Sequence, residues 1–172
     1  KPIALGMIVL SALLAGCVST YKHTELVAPA SKLDAKQGVV ISIPGNGFYQ
    51  GTEYHNSGRM TANAVRAAFA RNALRVEVTE ACEGSGCLDE LDASQFQYYV
   101  QPIILHWEDR ATEWSGISDR LEIQIIVYDL TTKEQVVNST YTGKSKFFTF
   151  GGDHPQDLLP QPTQAFVDAL YR

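Results

Sequence analysis

One stretch of the chain concentrates side chains that could perform chemistry, the segment 105–120 with the sequence LHWEDRATEWSGISDR. In a strand His106 and Glu108 share one face, because side chains alternate, and Asp109 and Glu113 follow shortly after. Imidazole and carboxylate groups bind zinc, but a catalytic zinc site needs three protein ligands. Two ligands on one face favour a solvated strand end, so we predict no metal and no cofactor.

The same stretch holds both tryptophans of the chain, Trp107 and Trp114, among charged side chains. Trp and Arg are enriched at binding hot spots. Trp107 is expected to cover the core, whereas Trp114 lies in a polar turn. We predict a partner-binding surface formed by Trp114, Arg110, Glu113 and Tyr99; the alternative is that both tryptophans only cover the core.

Motifs of known catalytic sites are missing from the sequence. No HExxH, CxxC or G-x-S-x-G pattern occurs, although such patterns identify metalloproteases, thiol oxidoreductases and α/β-hydrolases. The histidines are scattered without ligand spacing, at His23, His55, His106 and His154. We therefore predict that the protein is not an enzyme; a hydrolase built on His106 and Glu108 is the alternative.

A strand followed by a glycine loop, VVISIPGNGFYQG at Val39–Gly51, is typical of phosphate-binding sites. No Lys follows these glycines at the P-loop spacing, and Gln50 stands where the dinucleotide motif needs its third glycine. About five residues also separate Gly51 from the next helix, so helix amides would not point at a ligand there. We predict a sharp turn with Phe48, Tyr49 and Tyr54 packed over it.

The N-terminal residues indicate export. The apolar run Ile3–Gly16 is too short to span a bilayer and has the size of a signal-peptide core. It ends in Leu14-Ala15-Gly16-Cys17, which resembles the bacterial lipobox. This resemblance implies that residues 1–16 are a lipoprotein signal peptide and that Cys17 carries the lipid. Val18 stands where an inner-membrane retention signal has Asp, so the expected location is the periplasmic face of the outer membrane; an ordinary secretory leader is the alternative.

Cys82 and Cys87 enclose a short loop with two glycines. In an oxidising compartment a local disulfide is the expected state of such a pair. The alternative is a redox pair, which needs a neighbouring cation to lower a thiol pKa. The flanking residues are acidic, Glu83, Asp89 and Glu90, so we predict a structural disulfide.

The secondary-structure pattern predicts one α+β domain over residues 38–172, preceded by the lipidated Cys17 and a flexible tether over 17–37. Apolar periodicity gives the order β-α-β-β-β-α, with a parallel pair around the first helix. The expected fold is a two-layer sandwich in which two helices cover one face of a mixed sheet. A net charge of −5 without a basic block excludes nucleic acid as the natural partner.

Three segments resemble a family of uncharacterised bacterial lipoproteins, domain of unknown function 4823. They are MTANAVRAAFARNALRVEV, YYVQPIILHWEDRATEWSG and DHPQDLLPQPTQAFVDALY. The resemblance implies an envelope lipoprotein of unknown role and carries no catalytic residue. The first hypothesis is therefore a lipid-anchored, non-enzymatic adaptor that binds an envelope protein. The second is a binding module for peptidoglycan, another glycan or a small ligand, using Trp114, Tyr98 and Tyr99.

Overall fold

The computed structural model describes residues 19–110, 117–146 and 154–172. Within these ranges the chain forms a six-stranded sheet, a two-stranded hairpin and three α-helices. The strands are β1 Thr20–Val27, β2 Gly38–Ser42, β3 Gly47–Tyr49, β4 Thr52–Tyr54, β5 Arg75–Thr79, β6 Tyr98–Glu108, β7 Arg120–Asp129 and β8 Gln135–Lys144. The helices are α1 Ser57–Phe69, α2 Cys87–Glu90 and α3 Pro160–Tyr171, and 3-10 turns cover Gly84–Gly86 and Pro155–Leu158.

The large sheet is mixed, with the strand order β1-β8-β7-β6-β2-β5. β2 pairs in parallel with β5 and β6, and α1 makes the crossover that parallel neighbours require. The remaining pairs, from β6 through β7 and β8 to β1, are antiparallel. α1 and α3 contact each other over one face of this sheet. The predicted α+β two-layer sandwich, with two helices on one face of a mixed sheet, is confirmed.

The helix layer is held by the apolar face of α1. Ala62, Val65 and Phe69 recur at helical spacing and are fully buried. They share one core with the inward side chains of β7, among them Ile123 and Ile125. Burying a side chain of the size of Val or Phe stabilises the fold by about 1.5–3 kcal/mol. Within the described ranges no helix is long and apolar enough to cross a membrane.

The opposite face of the sheet, called the outer face below, is covered at one end by residues 80–96. A second apolar cluster forms there, and it includes Val40, Tyr99 and Leu130 together with Cys87. Cys82 and Cys87 are joined by a disulfide with their Cα atoms 5.1 Å apart. The disulfide therefore fixes the segment that covers this end of the outer face.

The flexible tether predicted over 17–37 is wrong for Thr20–Val27, which form β1. This strand pairs with β8 from Thr20 opposite Lys144 to Val27 opposite Asn138. Seven of its eight residues are exposed, because β1 is an edge strand held by backbone hydrogen bonds. Such a strand has no apolar period for sequence analysis to detect. The folded unit therefore includes β1, which precedes the predicted boundary at residue 38.

Candidate functional site

The predicted partner-binding stretch begins where β6 ends beside the start of β7. Glu108 lies opposite Arg120, and a β-bulge between Ile104 and His106 sets this register. Trp107 points into the core and is 2% exposed, as predicted. Its neighbours His106 and Glu108 therefore lie on the outer face, because successive strand residues alternate.

Glu108 is a buried carboxylate with two basic partners. Its side chain is 4% exposed, its Oε2 lies 3.0 Å from Nε2 of His106, and Nε of Arg110 donates to its Oε1. Burial alone would raise the pKa of Glu108, but the hydrogen bonds from His106 and Arg110 outweigh it. The pKa of Glu108 therefore lies below its ordinary value, and the ionised carboxylate positions both basic side chains.

Arg110 connects this strand end to the β3–β4 hairpin. Its Nη2 donates to the hydroxyl of Tyr49 at 2.8 Å, and its guanidinium carbon lies 5.6 Å from the centre of the Tyr49 ring. The ring of His106 meets the same tyrosine edge-on, with the centroids 5.3 Å apart. Beside it, Phe48 is 61% exposed. We call Phe48, Tyr49, His106 and Arg110 the Arg110 surface.

Asp119 supports Arg110 from inside the protein. It is fully buried, and its Oδ1 accepts a hydrogen bond from the backbone N–H of Arg110 at 2.6 Å. Its Oδ2 has no hydrogen-bond partner among the residues that the structure describes. The backbone N–H of Asp119 donates to the Ser145 hydroxyl, and the backbone N–H of Ser145 donates to the Asp119 carbonyl. Burial raises the pKa of Asp119 to about 6, against the opposing hydrogen bond from Arg110.

Asp109 and His154 bring the turn before α3 to the same end of the sheet. Nδ1 of His154 lies 3.1 Å from Oδ1 of Asp109, and the Tyr54 hydroxyl donates to the Asp109 carbonyl at 3.2 Å. The hydrogen bond to Asp109 raises the pKa of His154, and the negative charge of Asp109 adds to this effect. Asp109 is thus engaged by His154 and is not paired with His106.

Among the described residues, His106 and Glu108 form only part of a catalytic constellation. The His106–Glu108 pair is the orienting half of a catalytic triad, but a triad also needs a nucleophile bonded to the histidine. In the described part of the chain, the contacts of the His106 ring are the Glu108 carboxylate and the edge of Tyr49. No group of three or more His, Cys, Asp or Glu side chains within residues 19–110, 117–146 and 154–172 is placed to hold a metal ion.

The prediction that Tyr99 contributes to a partner surface is wrong. Tyr99 is fully buried, its hydroxyl lies 2.8 Å from Oγ of Ser42, and it donates to the Gly84 carbonyl at 2.9 Å. Tyr98, which the glycan hypothesis also used, is 9% exposed, and its hydroxyl accepts the Asp34 N–H. Tyr99 is buried because residues 80–96 cover this end of the outer face, whereas Tyr98 belongs to the core on the helix side of the sheet.

Of the other predicted site residues, Arg110 lies on the surface with its side chain 33% exposed. Trp114, Glu113 and Cys17 lie outside the described residues. Sequence analysis did not assign Tyr49 or Phe48 to the partner surface. The sequence feature that could have indicated Phe48 and Tyr49 is the Gln50-Gly51 turn. These two residues have positive φ angles of 49° and 81° and close the hairpin that presents Phe48 and Tyr49.

The glycine loop is closed by the protein's own side chains. Ser57 Oγ accepts the Gly47 N–H at 2.8 Å, and Asn46 Oδ1 accepts the Gly58 N–H at 3.2 Å, at the start of α1. A Cβ atom on Gly47 would lie 2.5 Å from Cβ of Trp107. The glycine therefore lets the hairpin approach Trp107 closely.

Sequence comparison assigns the family. The family model described as Domain of unknown function (DUF4823) matches residues 31–170. The chain belongs to this family. The DUF4823 match includes every strand from β2 to β8, and thus the Arg110 surface. No curated protein matches the sequence.

Solved structures of other bacterial proteins are similar to the DUF4823 chain. The PelC dodecamer from Paraburkholderia phytofirmans is 13% identical, with 90% of this chain and 99% of that chain covered and a TM-score of 0.64. The protein XCC0632 from Xanthomonas campestris, of family DUF330, is 15% identical, with coverages of 84% and 90% and a TM-score of 0.55. Lipoprotein GNA1162 from Neisseria meningitidis is 10% identical, with coverages of 77% and 96% and a TM-score of 0.46.

Proposed function

We propose that this DUF4823 protein is a lipid-anchored, non-enzymatic adaptor on the periplasmic face of the outer membrane, which binds another envelope protein through the Arg110 surface. The observation that carries the proposal is the fixed position of Arg110 between Glu108 and Tyr49, beside the exposed ring of Phe48. Arg and aromatic residues dominate binding hot spots, and a side chain already held in place loses little entropy when a partner binds.

The charges of the site support a binding role over a catalytic one. Glu108 holds both Arg110 and His106, so these side chains are fixed beside the hairpin. A hydrolase would also need a nucleophile bonded to His106, and among the described residues the ring meets only Glu108 and the edge of Tyr49. The fold relative PelC is described as a dodecamer. This is in keeping with an assembly role for the present chain, since proteins of this shape form complexes elsewhere.

The proposed lipid at Cys17 would hold this surface close to the membrane. β1 begins at Thr20, three residues after Cys17. Three residues span at most about 10 Å, because an extended chain advances no more than about 3.5 Å per residue. Thr20 lies at the same end of the sheet as Arg120, the cross-strand neighbour of Glu108. An adaptor anchored in this way would meet partners at the membrane surface.

Crosslinking in living cells tests the proposal. A photo-crosslinking amino acid replaces Phe48, and captured proteins are identified by mass spectrometry after the Cys17 peptide has been checked for lipid. A single recurring envelope protein is the expected result, and Arg110→Ala in the same chain should remove it. Leu74, which is 84% exposed beside β5 on the far edge of the sheet, is the matched control position.

Two outcomes would contradict the assignment of this surface. One is capture of the same protein from Phe48 and from Leu74 with equal yield. The other is capture from Phe48 that is unchanged by Arg110→Ala. If Phe48 crosslinks only to lipid and peptidoglycan, the adaptor function is contradicted and a second candidate function is favoured.

The second candidate is binding of a glycan or a small polar ligand in a cleft between β2 and β6. These parallel strands pair only up to Ile41 opposite Val100, and a cleft of about 270 Å³ lies beyond, between the carboxyl end of β2 and the middle of β6. Open α/β sheets bind ligands at such positions. The polar lining comes from Ser42, Asn46, Glu83 and Gln101. Sedimentation with purified peptidoglycan tests this function; the protein should pellet, and Gln101→Ala should release it, whereas an unbound protein would refute it.

A further inference from the structure

Three cations from three different strands lie together on the outer face of the sheet. Arg120 of β7 lies opposite Lys144 of β8, and Lys144 lies opposite Thr20 of β1. Lys22 follows two residues along β1, on the same face. The three cations and the hydroxyls of Thr20 and Thr142 line a groove of about 410 Å³. Sequence analysis found no basic block because these residues are far apart in the chain.

Among the described residues, the charges of this cluster repel one another. Like charges directly opposite each other on neighbouring strands destabilise a sheet. Among the residues that the structure describes, Arg120, Lys144 and Lys22 have no carboxylate within 4.0 Å. Glu122 supplies one negative charge to the groove, and Glu108, opposite Arg120, lies outside the lining and is paired with Arg110. The groove therefore remains positive in a chain whose net charge is −5. An anion from outside the protein would remove the repulsion.

The groove lies beside the place where the chain leaves the sheet toward Cys17. Thr20 is both the first residue of β1 and part of the groove wall. If Cys17 carries a lipid, as the proposed function requires, the groove lies within about 10 Å of the anchoring residue. Anionic headgroups attract cations within about one Debye length, roughly 8–10 Å in physiological salt. The position and the charge of the groove therefore match one occupant.

We propose that Lys22, Arg120 and Lys144 bind the phosphate-bearing headgroups of an anionic membrane and orient the domain on it. The ammonium and guanidinium groups pair with the phosphates, and the hydroxyls of Thr20 and Thr142 donate hydrogen bonds to phosphate oxygens. The part of the outer face formed by β1, β8 and the start of β7 then lies toward the membrane, while α1 and α3 face away. This inference rests on the proposed function for the anchor and deepens it by naming the surface that meets the lipid.

Lysine labelling of the full-length chain tests the proposal. The protein is mixed with excess vesicles of phosphatidylcholine, alone or containing phosphatidylglycerol, and the acetylation rate of each lysine is measured by mass spectrometry. Lys22 and Lys144 should react several-fold more slowly with the anionic vesicles, and added salt should restore their rates. Lys36, an exposed lysine two residues before β2 at the other end of the sheet, is the internal control and should not change.

A matched pair of variants distinguishes binding at the groove from a general effect of the protein's net charge. Arg120→Gln keeps both reporter lysines and should weaken their protection by about fivefold, the effect of one cation near an anionic surface. Arg66→Gln, on the exposed side of α1, removes the same charge and should have no effect. Equal effects of the two substitutions would overturn the proposal.

The remaining outcomes are also decisive. Equal rates for Lys22 and Lys144 on both kinds of vesicle overturn the inference, even where the Cys17 peptide carries lipid and a protein partner has been captured. Protection by inorganic phosphate added to phosphatidylcholine vesicles would show a site for a soluble anion and would overturn the membrane assignment. Protection that requires phosphatidylglycerol supports the inference whatever the crosslinking experiment at Phe48 finds, so the two proposals fail separately.

Discussion

Arg110 holds Tyr49 by two contacts at once, a hydrogen bond of 2.8 Å to its hydroxyl and a guanidinium 5.6 Å from the centre of its ring. The two residues belong to segments far apart in the chain, and the pair fastens the β3–β4 hairpin to the end of β6. A partner that contacts the hairpin therefore also meets Arg110. This relationship makes the two side chains one unit in mutational tests.

Replacing Arg110 should separate its two roles. Arg110→Lys keeps a cation near Glu108 but loses the planar fork that also reaches Tyr49, because an ammonium is a single point of charge. We expect Arg110→Lys to reduce partner capture nearly as much as Arg110→Ala, while only Arg110→Ala raises the pKa of Glu108. Titration of Glu108 by NMR and the crosslinking yield give the two readouts. Full capture by Arg110→Lys would show that charge alone suffices.

Asp119 should make stability depend on pH. Its pKa is raised from the ordinary value of 3.8 to about 6 in the folded protein, so its contribution to stability is fully present below about pH 4 and is lost as the pH rises through 6. The loss should amount to roughly 2–3 kcal/mol between pH 4 and pH 7. Urea unfolding of the wild type and of Asp119→Asn checks this, and the substitution should flatten the profile. Asp157→Asn is the control, and an unchanged slope in Asp119→Asn would contradict the assignment.

Gly47 should tolerate no side chain. An added Cβ would lie 2.5 Å from Cβ of Trp107 and 3.1 Å from Cγ2 of Ile104, so Gly47→Ala must displace the hairpin. Overpacking of this kind costs about 1–3 kcal/mol. Gly86→Ala is the matched control, because a Cβ there meets nothing within 4 Å. Thermal unfolding should show the loss for Gly47→Ala only; equal melting temperatures would refute the close approach.

The disulfide should stabilise the fold without redox activity. Replacing both Cys82 and Cys87 by Ala removes a short cross-link, which should cost about 2 kcal/mol on the chain-entropy model. Cys87 is also fully buried in the second apolar cluster, so the covering of Tyr99 should loosen. Urea unfolding and the near-ultraviolet signal of the tyrosines measure both effects. Efficient reduction of insulin by the wild-type protein would instead indicate a redox pair.

The elements that bury apolar side chains could be predicted from the sequence. An exposed strand that is held by backbone pairing could not, and neither could contacts between residues that are distant in the sequence. The first helix was predicted from apolar periodicity, and Ala62, Val65 and Phe69 on the apolar face of α1 are all buried. β1 was missed because its outward residues give no such spacing. The error at Tyr99 has another cause. Alternation identifies the two faces of β6, but it does not reveal that residues 80–96 return to cover one end of the outer face.

Only part of the candidate site could be predicted from the sequence. Arg110 was found because it stands beside tryptophans and acids in one stretch of the sequence. Its partner Tyr49 and the groove cations Lys22 and Lys144 come from distant strands, and their proximity depends on register. A shift of one residue would move each of them to the other face.

The pairing of β1 with β8 has a consequence for how the protein is made. A chain that is exported from its N-terminus delivers β1 first, yet the partner strand lies near the opposite end of the chain. If the chain is exported N-terminus first, as the proposed function requires, β1 stays unpaired until β8 has also crossed the inner membrane. During that interval the backbone N–H and C=O groups of β1 are open to pairing with another strand.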